Sequence, residues 1–339
     1  MTFEDFWIFL MSELDIIALE VPILLTVAVG WLIVRIRLLR ASSADVLNTL
    51  FLHVFAPALI VSLLAKQQLA SLLDIPFILA TLLLMLGLYG GLFLAHAVLL
   101  KRTLAVSAFA AFAGTKFNTV VVGLPVLVAN LGHHAIVPTI INLVAAYFTI
   151  LPLTLILSGI PPSGSARGTA VWGVVLAAVK KAITHPFVVA TVLGLFLAGT
   201  GAALPVWLDK TLLTVGSAAI PSALLAVGMA LSAPSIRENL AEIAGVSAVR
   251  VILSPALAIL VAKLFRLSPV FAIALVVSFS LPTAKMVLPL AEEHRTYVKE
   301  SAGIIAVTTA SLVAVVPVVI WVCERLWPGF VGAVALTGP

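Results

Sequence analysis

The sequence predicts an all-α integral membrane protein with ten transmembrane helices in a 5+5 inverted repeat, the fourth and ninth spans being broken. Three observations predict it. Hydrophobic residues fill 63% of the 339 positions and charged residues only 10%, against roughly 45–50% and about 25% in ordinary soluble domains. Apolar runs of the ~20 residues that a bilayer crossing needs recur along the chain. Prolines return at a nearly constant offset between the two halves.

The candidate spans are 16–34, 46–65, 75–100, 104–128, 135–158, 181–200, 205–231, 240–262, 268–290 and 301–323. Short polar gaps separate them, and none is long enough for a soluble domain. The longest break, Pro161–Gly168, divides the chain in half. The expected organisation is a first five-helix repeat over 1–160, a short cytoplasmic linker over 161–180 and a second repeat over 181–339. The formal charge is +5. The basic residues flank the apolar runs, so they read as topology signals and not as a nucleic-acid surface. With the N-terminus outside, twelve basic residues fall inside: Arg35, Arg37, Arg40, Lys101, Arg102, Arg167, Lys180, Lys181, Arg237, Arg250, Arg295 and Lys299. Five fall outside: Lys66, Lys210, Lys263, Arg266 and Arg325. This bias places both termini outside. Glu4, Asp5, Glu13 and Asp15, with no early Lys or Arg, speak against a signal peptide. Cys323 is the one cysteine, which excludes an intrachain disulfide and a cysteine metal cluster.

The repeat rests on four proline pairs: Pro22 and Pro186 (164 apart), Pro57 and Pro221 (164), Pro125 and Pro282 (157), Pro152 and Pro317 (165). Each half holds five spans, an odd number, so the second half must start from the opposite side of the membrane. Inverted repeats of this kind underlie many secondary transporters, whose substrates sit where helices are interrupted. Pro125 and Pro282 mark such interruptions. Pro125 follows Lys116, Asn118 and Gly123; Pro282 precedes Thr283, Lys285 and Pro289. A lysine at mid-bilayer costs about 2.5–3.5 kcal/mol, so it faces a partner or a cavity. Neither lysine has a carboxylate in its own span. Two such cations beside helix breaks suit a small carboxylate, and half-helix N-termini would add partial positive charge. The alternatives are snorkelling to the interface or a lysine deprotonated by burial that couples transport to protons. Asn118 offers donors and an acceptor to a carboxylate, with a helix–helix contact as its structural alternative. Asn142 and Tyr147 could line the same cavity or simply pack. His53, His96 and His185 read as core or interfacial residues, and Gly87, Gly90, Gly91 and Gly194 as close-packing positions. There is no HExxH, GxSxG or Walker loop, so neither enzymatic catalysis, a metal, a cofactor nor ATP is expected.

The stretch Lys116-Phe117-Asn118-Thr119, three valines, Gly123-Leu124-Pro125 resembles the fourth-helix motif of the auxin efflux carrier family. Leu281-Pro282-Thr283-Ala284 with Ala291 to His294 resembles its ninth-helix motif. His185-Pro186 and the run from Ala219 to Leu231 also look like family segments, and the resemblance spans nearly the whole chain. It implies crossed broken helices at spans four and nine and a scaffold of spans 1, 2, 6 and 7. Spans 3–5 and 8–10 would move against that scaffold as an elevator. It implies an organic-anion substrate and a homodimer. By position it carries over Asn118 and Pro125 at the first crossing and Pro282 at the second. Two departures matter. There is no long loop between the halves, as in the compact prokaryotic type. Lys116 and Lys285 stand where plant exporters generally have uncharged residues, which favours a smaller, more charged carboxylate such as malonate over auxin. The full expected binding set is Lys116, Asn118, Thr119, Gly123, Pro125, Asn142, Tyr147, Pro282, Thr283 and Lys285. The other readings are a sodium-coupled symporter of the bile-acid-transporter type and a membrane sensor or lysine-linked pigment protein. Coupling to protons or sodium stays open at this level.

Overall fold

The computed structural model describes residues 22, 25–66, 74–159, 173, 176, 179–180, 183–184, 186–201, 204–230 and 239–328. The beginning of the first expected span, nearly all of the 161–180 linker and His185 lie outside these residues. The described chain is helical throughout, with one isolated bridge and no strand. Its elements are α1 (Leu25–Arg35), α2 (Ser43–Leu64), α3 (Ile75–Leu99), α4 (Leu104–Thr115), α5 (Leu124–Leu131), α6 (Ile136–Ser158), α7 (Pro186–Thr200), α8 (Val206–Met229), α9 (Leu240–Leu264), α10 (Pro269–Ser280), α11 (Val287–Glu293) and α12 (Val298–Leu326).

Among the described residues, six of these helices are long and apolar enough to cross a membrane: α2, α3, α6, α8, α9 and α12. The two stretches expected to be interrupted consist of short helices instead. Residues 104–128 divide into α4 and α5, and 268–290 into α10 and α11. Local chemistry accounts for the starts and the irregular turns. Asp74 accepts a hydrogen bond from the Phe77 amide and begins α3 just ahead of Pro76. Wide π-type turns at Phe51–Phe55, Thr119–Gly123 and Val249–Leu253 each precede a proline, Pro57, Pro125 and Pro255. A proline ring clashes with the carbonyl four residues back. That carbonyl lies inside each wide turn, which relieves the clash without ending the helix.

Packing groups the helices into two neighbourhoods, which touch where the second half of α8 meets the Thr119–Gly123 turn and α5 and where α2 meets α6. α7 and the first half of α8 lie against α2, and the second half of α8 lies against the start of α2. In the other set α3 packs on α4, α4 on α6, α9 on α10 and α12 on both α9 and α10. Residues 107–115 of α4 and 272–280 of α10 are buried on every side. An apolar helix buried all round belongs at the centre of a bundle. The outward faces of α3 and α7 keep Leu79, Leu83, Val192 and Phe196 exposed, as a hydrocarbon solvent allows.

Two expectations need correction. A methyl group added at Gly87, Gly90 or Gly91 would meet no atom within 4 Å, so these glycines face outward and do not mediate close packing. The close approaches occur at Gly194 against Leu64, at Gly216 against Leu59 and at Gly228 against the backbone of Val27. Arg250, counted above among the basic residues on the inner side, is fully buried within the bundle. It carries no topology information, and the charge bias loses one inside residue.

Candidate anion site at the paired helix breaks

The two interruptions meet. After Thr115 the backbone extends, and Phe117 pairs with Thr283 in an antiparallel bridge. The Asn118 amide donates to the Pro282 carbonyl at 2.8 Å, and the Ala284 amide donates to the Lys116 carbonyl at 2.9 Å. Each break thus satisfies part of the backbone that the other leaves open. In a lipid-surrounded protein that is a requirement for irregular chain at mid-bundle depth. Proline supplies the geometry on the second strand: Pro282 gives up no amide, since it has none, and offers only its carbonyl.

Arg250, from α9, closes the arrangement. Its guanidinium donates to the carbonyls of Leu281 (2.9 Å), Thr115 (3.0 Å) and Phe279 (2.5 Å), with longer contacts to Ser278 and Gly114. These are the last carbonyls of α4 and α10. Its Cζ lies 5.2 Å from the Phe117 ring centre and 5.9 Å from that of Phe279. Thr283 completes the cap: its hydroxyl donates to the Ala113 carbonyl at 2.8 Å, and its amide donates to Thr308 Oγ1 of α12 at 3.1 Å.

Lys116 and Asn118 stand differently. Alternation along extended backbone puts them on one side of the segment and Phe117 on the other. Lys116 is 3% exposed and Asn118 8%. The Lys116 ammonium lies 5.3 Å from the Tyr147 ring centre and 5.9 Å from that of Phe117. Among the described residues no carboxylate pairs with it, and nothing hydrogen-bonds to the Asn118 side-chain amide. A buried ammonium and a buried amide, both without protein partners and two residues apart, form a donor pair suited to a carboxylate. The turn Thr119–Gly123 follows directly, with the Thr119 amide donating to the Phe117 carbonyl and the Gly123 amide to the Asn118 carbonyl, both at 2.9 Å.

The remaining expected residues fall into three groups. Tyr147 borders Lys116, and its hydroxyl donates to Met286 Sδ at 3.7 Å, linking α6 to the second break. Thr119, Gly123, Pro125, Pro282 and Thr283 build the break. Thr119 bonds back to the Phe117 carbonyl, Pro125 is buried in the first turn of α5, and a Cβ on Gly123 would lie 2.6 Å from Leu281 Cδ1. Asn142 is engaged elsewhere, and Lys285 stands to one side of Lys116 and Asn118. Asn142 donates to Ser278 Oγ and accepts from Thr81 Oγ1, a polar chain joining α3, α6 and α10. Lys285 is half-buried one residue beyond the Lys116–Ala284 pairing and lies within electrostatic range of the Asp45 carboxylate. Asp45 comes from α2, so a search for carboxylates within the lysine's own span could not find it.

Arg250, Thr308 and Phe279 are the participants that sequence reasoning missed. Arg250 was detectable. It lies ten residues into an apolar run, and an ionisable residue at that depth marks a functional position by default. A separate groove of about 720 Å³ lies between α2, α7 and α8, lined by His53, Pro57, Val189, Leu193, Leu208 and other mostly apolar residues. It offers no charge to hold an anion.

Two curated proteins are similar to this chain over most of its length. One, from Rhizobium meliloti (strain 1021), bears the name "Putative malonate transporter"; it is 26% identical over 306 residues, covering 89% of this chain and 94% of that protein. The other is an uncharacterized transporter of Methanocaldococcus jannaschii, 24% identical over 321 residues, 92% of this chain and 99% of that protein. These relatives are transporters, not enzymes. The family described as membrane transport protein matches residues 15–322. With its membrane-length helices and its paired interruptions on the auxin-efflux-carrier pattern, the chain belongs to that family of integral membrane transporters.

Proposed function

We propose that this transporter is a secondary carrier for small organic anions, with a dicarboxylate such as malonate as the first candidate. The observation that carries the reading is the buried Lys116 ammonium, unpaired among the described residues, beside the unpartnered amide of Asn118. A carboxylate there gains one charge-assisted bond from the lysine and a second bond from the amide. The name of the Rhizobium relative points to the same substrate class. The sodium-symport reading is weaker, because the carbonyls at the breaks that would coordinate a cation are held by Arg250 and Thr283.

In this proposal the chain has ten spans in a 5+5 inverted repeat, and spans four and nine cross at the site. The neighbourhood of α1, α2, α7 and α8 acts as scaffold. The other helices carry the site across the membrane as an elevator, in a homodimer whose protomers each end with both termini outside a bacterial inner membrane. The denser packing within each set of helices than between them supports that division.

Reconstituted protein tests the reading. Wild type is expected to take up labelled malonate into proteoliposomes, and Lys116→Ala to abolish uptake while its thermal unfolding stays that of the wild type. Uptake by the variant at the wild-type rate would remove the lysine from the site. A thermal-shift series of mono-, di- and tricarboxylates, with and without sodium, identifies the preferred anion. A ligand at a hundred times its Kd stabilises by about 2.7 kcal/mol.

A further inference from the structure

Three polar side chains that the anion site does not use meet at one end of the bundle. His96 ends α3, Glu242 begins α9 and Tyr297 immediately precedes α12. His96 Nδ1 lies 2.7 Å from the Leu92 carbonyl, and Nε2 lies 2.7 Å from Glu242 Oε1. Tyr297 donates to the same Oε1 at 2.6 Å. His96 is buried.

Counting protons on these contacts is decisive. A backbone carbonyl only accepts, so Nδ1 must carry a hydrogen. A neutral imidazole has no second hydrogen, and its bare Nε2 would then face a carboxylate oxygen, lone pair against lone pair, at hydrogen-bonding distance. The observed contact therefore needs one proton more than a neutral histidine and a carboxylate hold between them. It is either imidazolium with carboxylate or neutral imidazole with carboxylic acid, and the two descriptions share one proton.

We propose that His96 and Glu242 form a proton-binding site, and that loading or loss of this proton is coupled to the movement of the anion site. Loading places the proton between Nε2 and Oε1. Loss returns it to water at the nearby end of the bundle and turns the contact from attractive to repulsive. The coupling part rests on the transport reading above; the binding of the proton does not. The connection is mechanical. α9 carries Glu242 and, eight residues on, Arg250, about 12 Å further along the helix axis. α12 follows Tyr297 and carries Thr308, which holds the Thr283 amide. The shared proton ties α3 to α9, and the Tyr297 phenol ties the same Glu242 oxygen to the start of α12, so the proton site is joined through Glu242 to the two helices that hold the second break.

The surrounding charges are few. Arg102, in the turn after α3, and Glu300, in the first turn of α12, both act on Tyr297. Glu300 accepts from Asn239. α4 contributes no titratable side chain, and His294 at the end of α11 is occupied by Phe109 and Ser158. Burial, and then the Glu242 carboxylate, hold the Tyr297 phenol above its usual range, so it remains a donor.

The test separates the two parts. In proteoliposomes, Glu242→Gln is expected to keep malonate–malonate counterflow, which needs no net proton movement. It should lose accumulation driven by an imposed pH gradient by at least about tenfold, equivalent to ~1.4 kcal/mol. Accumulation equal to wild type would overturn the coupling. If Glu242→Gln does not fold, His96→Gln serves in its place, and gradient-driven accumulation by that variant would overturn the coupling equally. ¹⁵N-histidine NMR of the intact carrier, with His96 assigned by its loss in His96→Gln, reads proton binding without any transport. The expected result is a His96 signal that responds to pH and that shifts when Glu242 is replaced. A His96 signal unaffected by both would overturn the site itself. Absence of malonate transport by the wild type would count against the substrate reading and leave the NMR result standing.

Discussion

Replacing Arg250 tests whether the paired breaks depend on a single cation. Arg250→Met keeps the bulk of the side chain and removes all five donors. Three carbonyls within 3.0 Å, those of Leu281, Thr115 and Phe279, then lose their partner. Hydrogen bonds to a charged group contribute about 1.5–3 kcal/mol each. The simple sum overstates the loss, because the buried guanidinium no longer has to be desolvated. Removing one member of a buried ionic arrangement costs about 3–5 kcal/mol in comparable cases, and that is the expected destabilisation. The known exceptions, where buried ion pairs are replaced by apolar residues without loss, change both partners. Here the acceptors are backbone carbonyls and stay behind whatever residue 250 becomes. Arg250→Lys should fall between, since an ammonium supplies charge but not the planar fork that spans two helix ends. Equilibrium unfolding of purified protein in mild detergent, paired with ligand binding, measures both effects. An Arg250→Met protein as stable as wild type, to within about 1 kcal/mol, would refute the idea that Arg250 holds the breaks together.

Two further outcomes follow from the same geometry. Asn118→Ala removes an amide that has no protein partner, so folding should be unaffected while malonate binding weakens about tenfold or more, the loss of one bond to a charged ligand; calorimetric titration giving an unchanged Kd would reject the contact. A Cβ on Gly228 would collide with the Val27 carbonyl oxygen, whereas nothing lies within 4 Å of one on Gly87. Gly228→Ala should therefore destabilise by about 1–3 kcal/mol or more, and Gly87→Ala should stabilise by up to about 1 kcal/mol through helix propensity; equal thermal shifts for the two would contradict the close approach of α1 and α8.

Much of the architecture is legible in the sequence because a bilayer imposes long-range rules on local composition. Apolar length marks the spans, and a proline beside polar groups marks both interruptions, at Pro125 and Pro282. What stays hidden depends on contacts between distant segments. Asn142 stays open between cavity and packing because nothing in one sequence reveals that Thr81 and Ser278 take up its amide. Gly87, Gly90 and Gly91 read as packing positions because a small-residue stripe does not say which way it faces. The sequence around Lys285 shows no nearby carboxylate, because Asp45, whose charge reaches it, comes from far along the chain. Arg250 is hidden for a different reason: a counting rule that treats every basic residue as a flank assigns it to the membrane surface.

The reassignment of Arg250 changes the electrostatic account of the site. Two broken helices bring their C-termini to the same place, and each carries roughly half a negative elementary charge. Together they would repel an anion. One guanidinium placed against both ends offsets about one such charge, so the backbone there becomes close to neutral. Lys116 has no such counterweight among the described residues, since its ammonium meets only the faces of Phe117 and Tyr147. Aromatic faces favour a cation by about 0.5–2 kcal/mol, which falls short of the cost of burying it. Arg250 therefore has its compensation built into the fold, whereas in the proposed function Lys116 receives its compensation from the bound anion. This difference between two buried cations beside the same bridge is the ground for proposing the lysine, and not the arginine, as the group that reads the substrate's charge.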